Sequence, residues 1–291
     1  MTKVLTYHLV DVFTDTAYSG NPLAVVDDVA GLSDEDCLTI AREFNNSETA
    51  FTRPPTTSGA DYRVRIFTPT AELPFAGHPS VGTASVLLRR GVIEAGRVIQ
   101  ECGAGLLPVD VDAQGARLSG GEPEISSEHD PAPLAHAVGL TEDDVDGRGR
   151  PGQAGCGINF TVMTVRPGSL ARVVPHVSEL LDLDLGNGLL LVEFDEASCT
   201  AKARMFGPAS GVLEDAATGS ASLALGAWLV DRGRVPGEGT TGYTVSQGVE
   251  MGRPSTLECT VSATGGRATG ATVRGSVAHL GTGELVAPGR E

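Results

Sequence analysis

The chain has 291 residues, 41% of them hydrophobic and 20% charged, a globular profile long enough for two domains with substantial cores. Its 37 acidic residues against 21 basic ones give a formal charge of −16, which argues against nucleic acid or an anionic membrane as the main partner. Lysine occurs only at Lys3 and Lys202, so few candidates exist for Schiff-base chemistry, pyridoxal phosphate included.

Met1–Thr16 alternates Tyr7, Leu9 and Val12 with polar residues and reads as a first strand, not as a signal peptide. No apolar run approaches the roughly 18 residues of a membrane-spanning helix. Ser33 and Asp36 form a capping-box pattern, and Cys37, Ile40, Ala41 and Phe44 follow at helical spacing, with Asn45-Asn46 as the stop. Tyr62–Phe67 alternates as a short strand. A second helix is predicted to start at His78-Pro79 and to run to Arg90 before Gly91. The polar, proline-rich stretch Gly120–Pro133 reads as a crossing between domains, and Thr141–Gly155 as a surface loop. Further strands are predicted at 158–162, 189–194, 201–206, 242–246 and 256–261, mostly in antiparallel sheet. A third helix is predicted from near Thr218 to about Asp231. It and the second helix are apolar all round, which calls for enclosure by other elements.

Residues 61–90 and 199–231 form a weak internal repeat. Each reads as a strand, Phe-x-Pro (Phe67 and Pro69, Phe206 and Pro208), a loop, a glycine (Gly77, Gly219) and an enclosed helix. Two lookalike halves often place a site between them.

Three places in this frame can carry chemistry. Glu48 falls where the first helix ends and a strand begins, among small and apolar neighbours. A carboxylate there is either a solvated strand-end glutamate or a partly desolvated proton carrier with a raised pKa. His78 follows Gly77 at the start of the second helix, as a surface or capping histidine or as a hydrogen-bond donor and proton relay. In Glu214–Ala221, Gly219 and Ser220 would expose backbone N–H groups at a helix start, fit for a substrate carboxylate. Asp215 just outside is an acidic cap or a proton shuttle.

Other patterns carry less. Gly147–Gly152 matches G-x-G-x-x-G by letter, but it follows an acidic loop and contains Pro151, so no dinucleotide site is expected. His129 and His136 lack a third ligand at zinc spacing. The five cysteines are odd in number and scattered, with no C-x-x-C. No disulfide scaffold or zinc site is expected, and a reducing cytoplasm fits.

At these residues the sequence resembles the PhzF-like family, named for the phenazine biosynthesis isomerase, within the diaminopimelate epimerase-like superfamily. The likeness is nearly chain-long. It runs through Gly20–Val25, Asn46–Phe51, Arg65–Pro69, Ala76–Pro79, Arg204 with Phe206, Glu214–Ala221, Gln247-Gly248 and Gly252–Ser255. The resemblance implies an α+β fold of two similar domains, each an antiparallel sheet wrapped around a central helix, with the site in the cleft between them. The expected domains are 1–120, with about 277–291 packing on it, and 121–276. The resemblance also implies no cofactor or metal, a small carboxylate substrate and a homodimer. It assigns catalytic roles to Glu48, His78 and Asp215, and substrate binding to Gly77, Thr218, Gly219 and Ser220.

Two departures bear on the reaction. The epimerase and proline racemase branches use a cysteine pair where this chain has Ala76 and about Ala216, which disfavours a two-thiol racemase. The family's usual Glu-Asp-Pro-Ala-Thr-Gly-Ser also reads with Ala216 in place of proline. The expected activity is a cofactor-independent proton shift on a molecule such as a dihydro-hydroxyanthranilate or an unsaturated amino acid. The rivals are racemisation or epimerisation by Glu48 and Asp215, and a non-catalytic carboxylate-binding protein.

Overall fold

The computed structural model describes residues 3–27 and 29–289. Residues 1 and 2 of the expected first strand, and residues 290 and 291 of the expected C-terminal segment, lie outside it. The described chain is rich in sheet with few helices, and it divides into two compact units. One comprises the chain up to Leu118 together with the segment from Arg274 onward, and the other is Ser119–Val273.

The first unit opens with the antiparallel pair β1 (Val4–Val12) and β2 (Asn21–Val26). Helix α1 (Asp34–Phe44) follows, with the Ser33–Asp36 capping box formed at its start and Asn45 in the left-handed conformation at its end. Strand β3 (Thr49–Arg53) then lies parallel to β2 and antiparallel to β4 (Tyr62–Phe67), which also carries the short β5 (Glu72–Leu73). After α2 (Gly77–Arg89) come β6 (Gly96–Cys102), parallel to β4, then β7 (Gly105–Asp112) and β8 (Gly115–Ser119). The last strand of the chain, β17 (Arg267–Val286), pairs with both β8 and β1. Eight of the described strands thereby close into a barrel, each paired on both sides, with the short β5 outside the ring. Helix α2 packs against β1, β2, β3, β4 and β7, and every residue from Gly77 to Leu87 is buried.

The second unit repeats this succession of pairings. β9 (Pro123–Glu128) flanks β10 (Gly152–Cys156), which is antiparallel to β11 (Asn159–Thr164). Between them lies α3 (Pro131–His136), and α4 (Val177–Leu181) follows β11. β12 (Leu189–Asp195) is parallel to β11 and antiparallel to β13 (Thr200–Gly207), which carries the short β14 (Val212–Asp215). Helix α5 (Gly219–Asp231) precedes β15 (Gly239–Gln247), which is parallel to β13 and antiparallel to β16 (Ser255–Thr264). Antiparallel, parallel, antiparallel, parallel, antiparallel is the order in both units, with a short hairpin strand just before the central helix. Helix α5 packs against β9, β10, β11 and β16. At Gly226 it leaves no room for a side chain, since a Cβ would lie 2.4 Å from the Tyr243 hydroxyl oxygen. That hydroxyl donates to the Ser222 carbonyl oxygen at 2.7 Å.

Three expectations need correction. The second helix begins one residue early, at Gly77, so Pro79 is its third residue. Proline is tolerated there because first-turn N–H groups have no acceptor within the helix. Gly120–Pro133 is not a bare crossing, since it contains β9 and the start of α3, both in the second unit. Pro123–Glu128 gives no apolar alternation because the strand is largely exposed. The end of the expected Thr141–Gly155 loop is the fully buried β10, built of Gln153 and small residues that carry little hydrophobic signal.

Candidate active site

Each unit presents one group of the expected site residues, and each group is built locally. In the first unit, the left-handed Asn45 turns the chain out of α1 and leaves Asn46, Ser47 and Glu48 to bridge into β3. Strand β3 is pinned in the core, where Phe51 and Phe67 meet edge to face at 5.4 Å. The Ser47 hydroxyl reaches the side-chain oxygen of Asn21 at 3.5 Å, tying this bridge to the start of β2. Glu48 is 18% exposed at its side chain, and burial raises its pKa, partly opposed by a hydrogen bond from Ser47. His78, the second residue of α2, is 5% exposed, with Nδ1 3.6 Å from Glu48 Oε2.

The N-terminus of α2 carries no side-chain cap and no acidic residue in its first turn. A buried hydrogen-bond series holds it in place. Tyr62 donates to Gln100 Oε1 at 3.1 Å, Gln100 Nε2 donates to Ser80 Oγ at 2.9 Å, and Ser80 Oγ donates to the Ala76 carbonyl oxygen at 2.9 Å.

In the second unit, α5 likewise starts without a side-chain cap or an acidic first turn, and Gly219 and Ser220 are its first two residues. A helix start of this kind presents N–H groups and a partial positive charge, the requirement for holding a carboxylate. Asp215 ends β14 and is 9% exposed, and its Oδ2 accepts from the Thr218 hydroxyl at 2.6 Å. Beside it, Arg204 forms a two-pronged ion pair with Glu214 at 2.7 and 2.8 Å and also donates to the Leu170 and Val173 carbonyl oxygens.

The turn Asp215–Thr218 is clamped from the end of β15. The Gln247 amide donates to the Asp215 carbonyl oxygen at 2.8 Å, and Ser255 Oγ donates to the Ala216 carbonyl oxygen at 3.0 Å. Gly248 has φ +76°, and a Cβ there would lie 2.6 Å from the Ala216 carbonyl oxygen. The clamp restrains the turn in which the expected proline is replaced by Ala216.

The structure therefore brings Glu48 and His78 together, and Asp215 with Thr218 at the start of α5. The sequence reading named Gln247 only as part of a motif and gave Gln100 and Ser255 no role. A usable signal was present: Tyr243, Val245 and Gln247 alternate onto the buried face of β15, where an amide needs partners. Among the described residues no group of three or more His, Cys, Asp or Glu is placed to share a metal ion, and no helix is long and apolar enough to cross a membrane. All five cysteines are free thiols.

Comparison with known proteins gives three results. The family model described as phenazine biosynthesis-like protein (PhzC-PhzF) matches residues 10–283. Among curated proteins, the trans-2,3-dihydro-3-hydroxyanthranilate isomerase of Pseudomonas aeruginosa is 34% identical over 95% of this chain and 98% of its own. An uncharacterized isomerase of Pasteurella multocida is 31% identical over 98% of this chain and 95% of its own. Among solved structures, a PhzF-family phenazine biosynthesis protein of Bacillus anthracis superposes with a TM-score of 0.87 at 24% identity, over 97% of this chain and 99% of that one, a likeness of fold.

Proposed function

The chain belongs to the phenazine biosynthesis-like (PhzC-PhzF) family and is an isomerase, and we propose that it shifts a proton on a small carboxylate substrate without a cofactor. The observation that carries this reading is Glu48, a carboxylate whose burial raises its pKa, set beside the buried imidazole of His78. Such a carboxylate takes a proton from carbon and returns it elsewhere on a conjugated skeleton at near-neutral pH. In this proposal the substrate carboxylate binds the first N–H groups of α5 at Gly219 and Ser220, with Thr218 and Gly77 beside the ligand. Asp215 and His78 orient the same molecule and stabilise the charge that develops.

The substrate class is a dihydro-hydroxyanthranilate, as the name of the Pseudomonas aeruginosa relative suggests, with an unsaturated amino acid as the second candidate. Proton NMR in deuterium oxide tests the reading with trans-2,3-dihydro-3-hydroxyanthranilate and β,γ-unsaturated amino acids. Wild type should shift the double bond with solvent deuterium in the product, and Glu48→Gln should lose about three orders of magnitude in kcat. Full turnover by Glu48→Gln sinks the shuttle. Chiral analysis of product from one enantiomer separates this reaction from racemisation by Glu48 and Asp215. The family resemblance and the free thiols also support a homodimer in a reducing cytoplasm, which light scattering and fractionation check.

A further inference from the structure

Gln247 is the last residue of β15 and is fully buried. Its amide nitrogen donates to the Asp215 carbonyl oxygen at 2.8 Å and to Thr218 Oγ1 at 3.1 Å, and its oxygen accepts from the Thr218 backbone N–H at 3.3 Å. These partners fix which way round the amide sits, because a carbonyl oxygen only accepts and a backbone N–H only donates. Thr218 Oγ1 therefore receives an N–H from Gln247. Its single proton points the other way, to Asp215 Oδ2 at 2.6 Å.

We propose that Gln247 is a positioning residue: it fixes a one-way hydrogen-bond chain, Gln247 N–H to Thr218 O–H to the Asp215 carboxylate, which keeps Asp215 an acceptor aligned at the start of α5. The proposal rests on the reading that Asp215 works in the site. Three features support it. The chain is short and largely withdrawn from water, where such bonds are stronger than in solvent. Each proton on it has one acceptor. The same amide also holds the backbone that follows the acid, at the Asp215 carbonyl and at the Thr218 N–H. A glutamine that only filled space would need none of these polarities. Charged groups near this turn include Arg204 and Glu214 of β13 and β14, and Glu250 and Arg253 of the segment between β15 and β16, while Lys202 and Glu258 lie further along β13 and β16. The test leaves all of them in place.

The test is carboxyl carbon-13 NMR on protein labelled at aspartate, with the Asp215 signal assigned by its loss in Asp215→Asn. Wild type, Gln247→Met, Thr218→Val and the double variant are titrated with pH. Gln247→Met keeps the length and neutrality of the side chain but supplies no donor. Both single variants should move the Asp215 midpoint up by about 0.5–1 pH unit, since a hydrogen bond to the charged form is lost or loosened. The double variant should shift by less than the sum of the two single shifts, because Gln247 acts in part through that hydroxyl and in part through the backbone it holds. Identical Asp215 behaviour in all four proteins overturns the proposal, as does an equal shift by Gln247→Met in the Thr218→Val background.

If Gln247→Met does not fold, Gln247→Glu replaces it at near-identical shape. Its carboxylate would draw the Thr218 proton away from Asp215, so most of its shift should vanish in the Thr218→Val background. The direct repulsion between the two carboxylates would persist there, and a shift that persists in full overturns the chain. Turnover of trans-2,3-dihydro-3-hydroxyanthranilate by the same four proteins is the second arm. With the chain intact, Gln247→Met loses at least tenfold in kcat with KM within about threefold. An inactive wild type with the NMR shifts present counts against the isomerase reading of this site. Absent shifts count against the chain, whatever the activity.

Discussion

His78 Nδ1 lies 3.6 Å from Glu48 Oε2, beyond hydrogen-bond length yet within range for each group to sense the charge of the other. A neutral imidazole leaves the buried carboxylate free to take up a proton, whereas an imidazolium would hold it ionised. In His78→Gln the loss should therefore fall on kcat, by about a hundredfold, with KM changed far less. Steady-state kinetics separate the two, and a loss confined to KM would make His78 a binding residue.

Glu48 also leaves a mark on stability. Burial raises its folded-state pKa above the ordinary 4.5, so the folded protein holds that proton over a pH range in which the unfolded chain has lost it. The stability this provides is complete below the unfolded value and is lost as pH rises through the folded one. Glu48→Gln should accordingly match wild type in acid and become the more stable protein as pH rises through the raised folded-state value. Denaturant midpoints at pH 4 and pH 8 check the sign.

Arg204 supports the site without working in it. Its side chain is 8% exposed and binds Glu214, itself 15% exposed, together with two carbonyl oxygens. Arg204→Met should cost about 3–5 kcal/mol, because a partly buried carboxylate is left alone. Arg204→Met with Glu214→Met should recover most of that loss. Urea unfolding of the three proteins decides whether the pair is needed or only its completeness.

Gly248 tests the clamp on the Asp215–Thr218 turn. Gly248→Ala would strain a backbone at φ +76° and drive a Cβ to 2.5 Å from the Arg253 carbonyl oxygen and 2.6 Å from that of Ala216. A destabilisation of about 2 kcal/mol is expected, with KM for a carboxylate substrate up about tenfold as the start of α5 shifts. An unchanged KM would detach this clamp from carboxylate binding.

The thiols give a clean exclusion. Cys37, Cys156 and Cys259 are buried, and burial pushes the Cys156 thiol up to about 12, far from a reactive thiolate. Iodoacetamide on the native protein should modify at most Cys102 and Cys199 and leave activity within about twofold. Loss of activity on alkylation would revive a thiol mechanism.

Local chemistry made part of the molecule readable from sequence. Ser33, Asp36 and Asn45 bound α1 as their types require, and Tyr62–Phe67 is β4 to the residue. Glu48 was legible as a candidate because a carboxylate stood among small and apolar neighbours, and His78 because it follows Gly77 at a predicted helix start. β9 and β10 were not legible. The first has Ile125 as its only large apolar residue, and the second holds Gln153 among glycine, alanine and cysteine, so neither shows apolar alternation and long-range pairing makes them strands. The role of Gln247 was hidden for a related reason. Its partners lie 29 and 32 residues back along the chain, and only the parallel pairing of β15 with β13 brings that amide to the Asp215 turn.

The closing strand of the first barrel has a consequence for biosynthesis. β17 seals the ring between β8 and β1, yet it is translated after every other described strand, whereas Ser119–Val273 is one continuous stretch. The second unit can complete itself while the first 118 residues still wait, open-edged, for a partner strand at the far end of the chain. The N-terminal-first order usual during translation is thus not open to this barrel, whose closing strand is made after the second unit. The exposed edges of β1 and β8 are where a nascent or truncated chain would meet chaperones or aggregate.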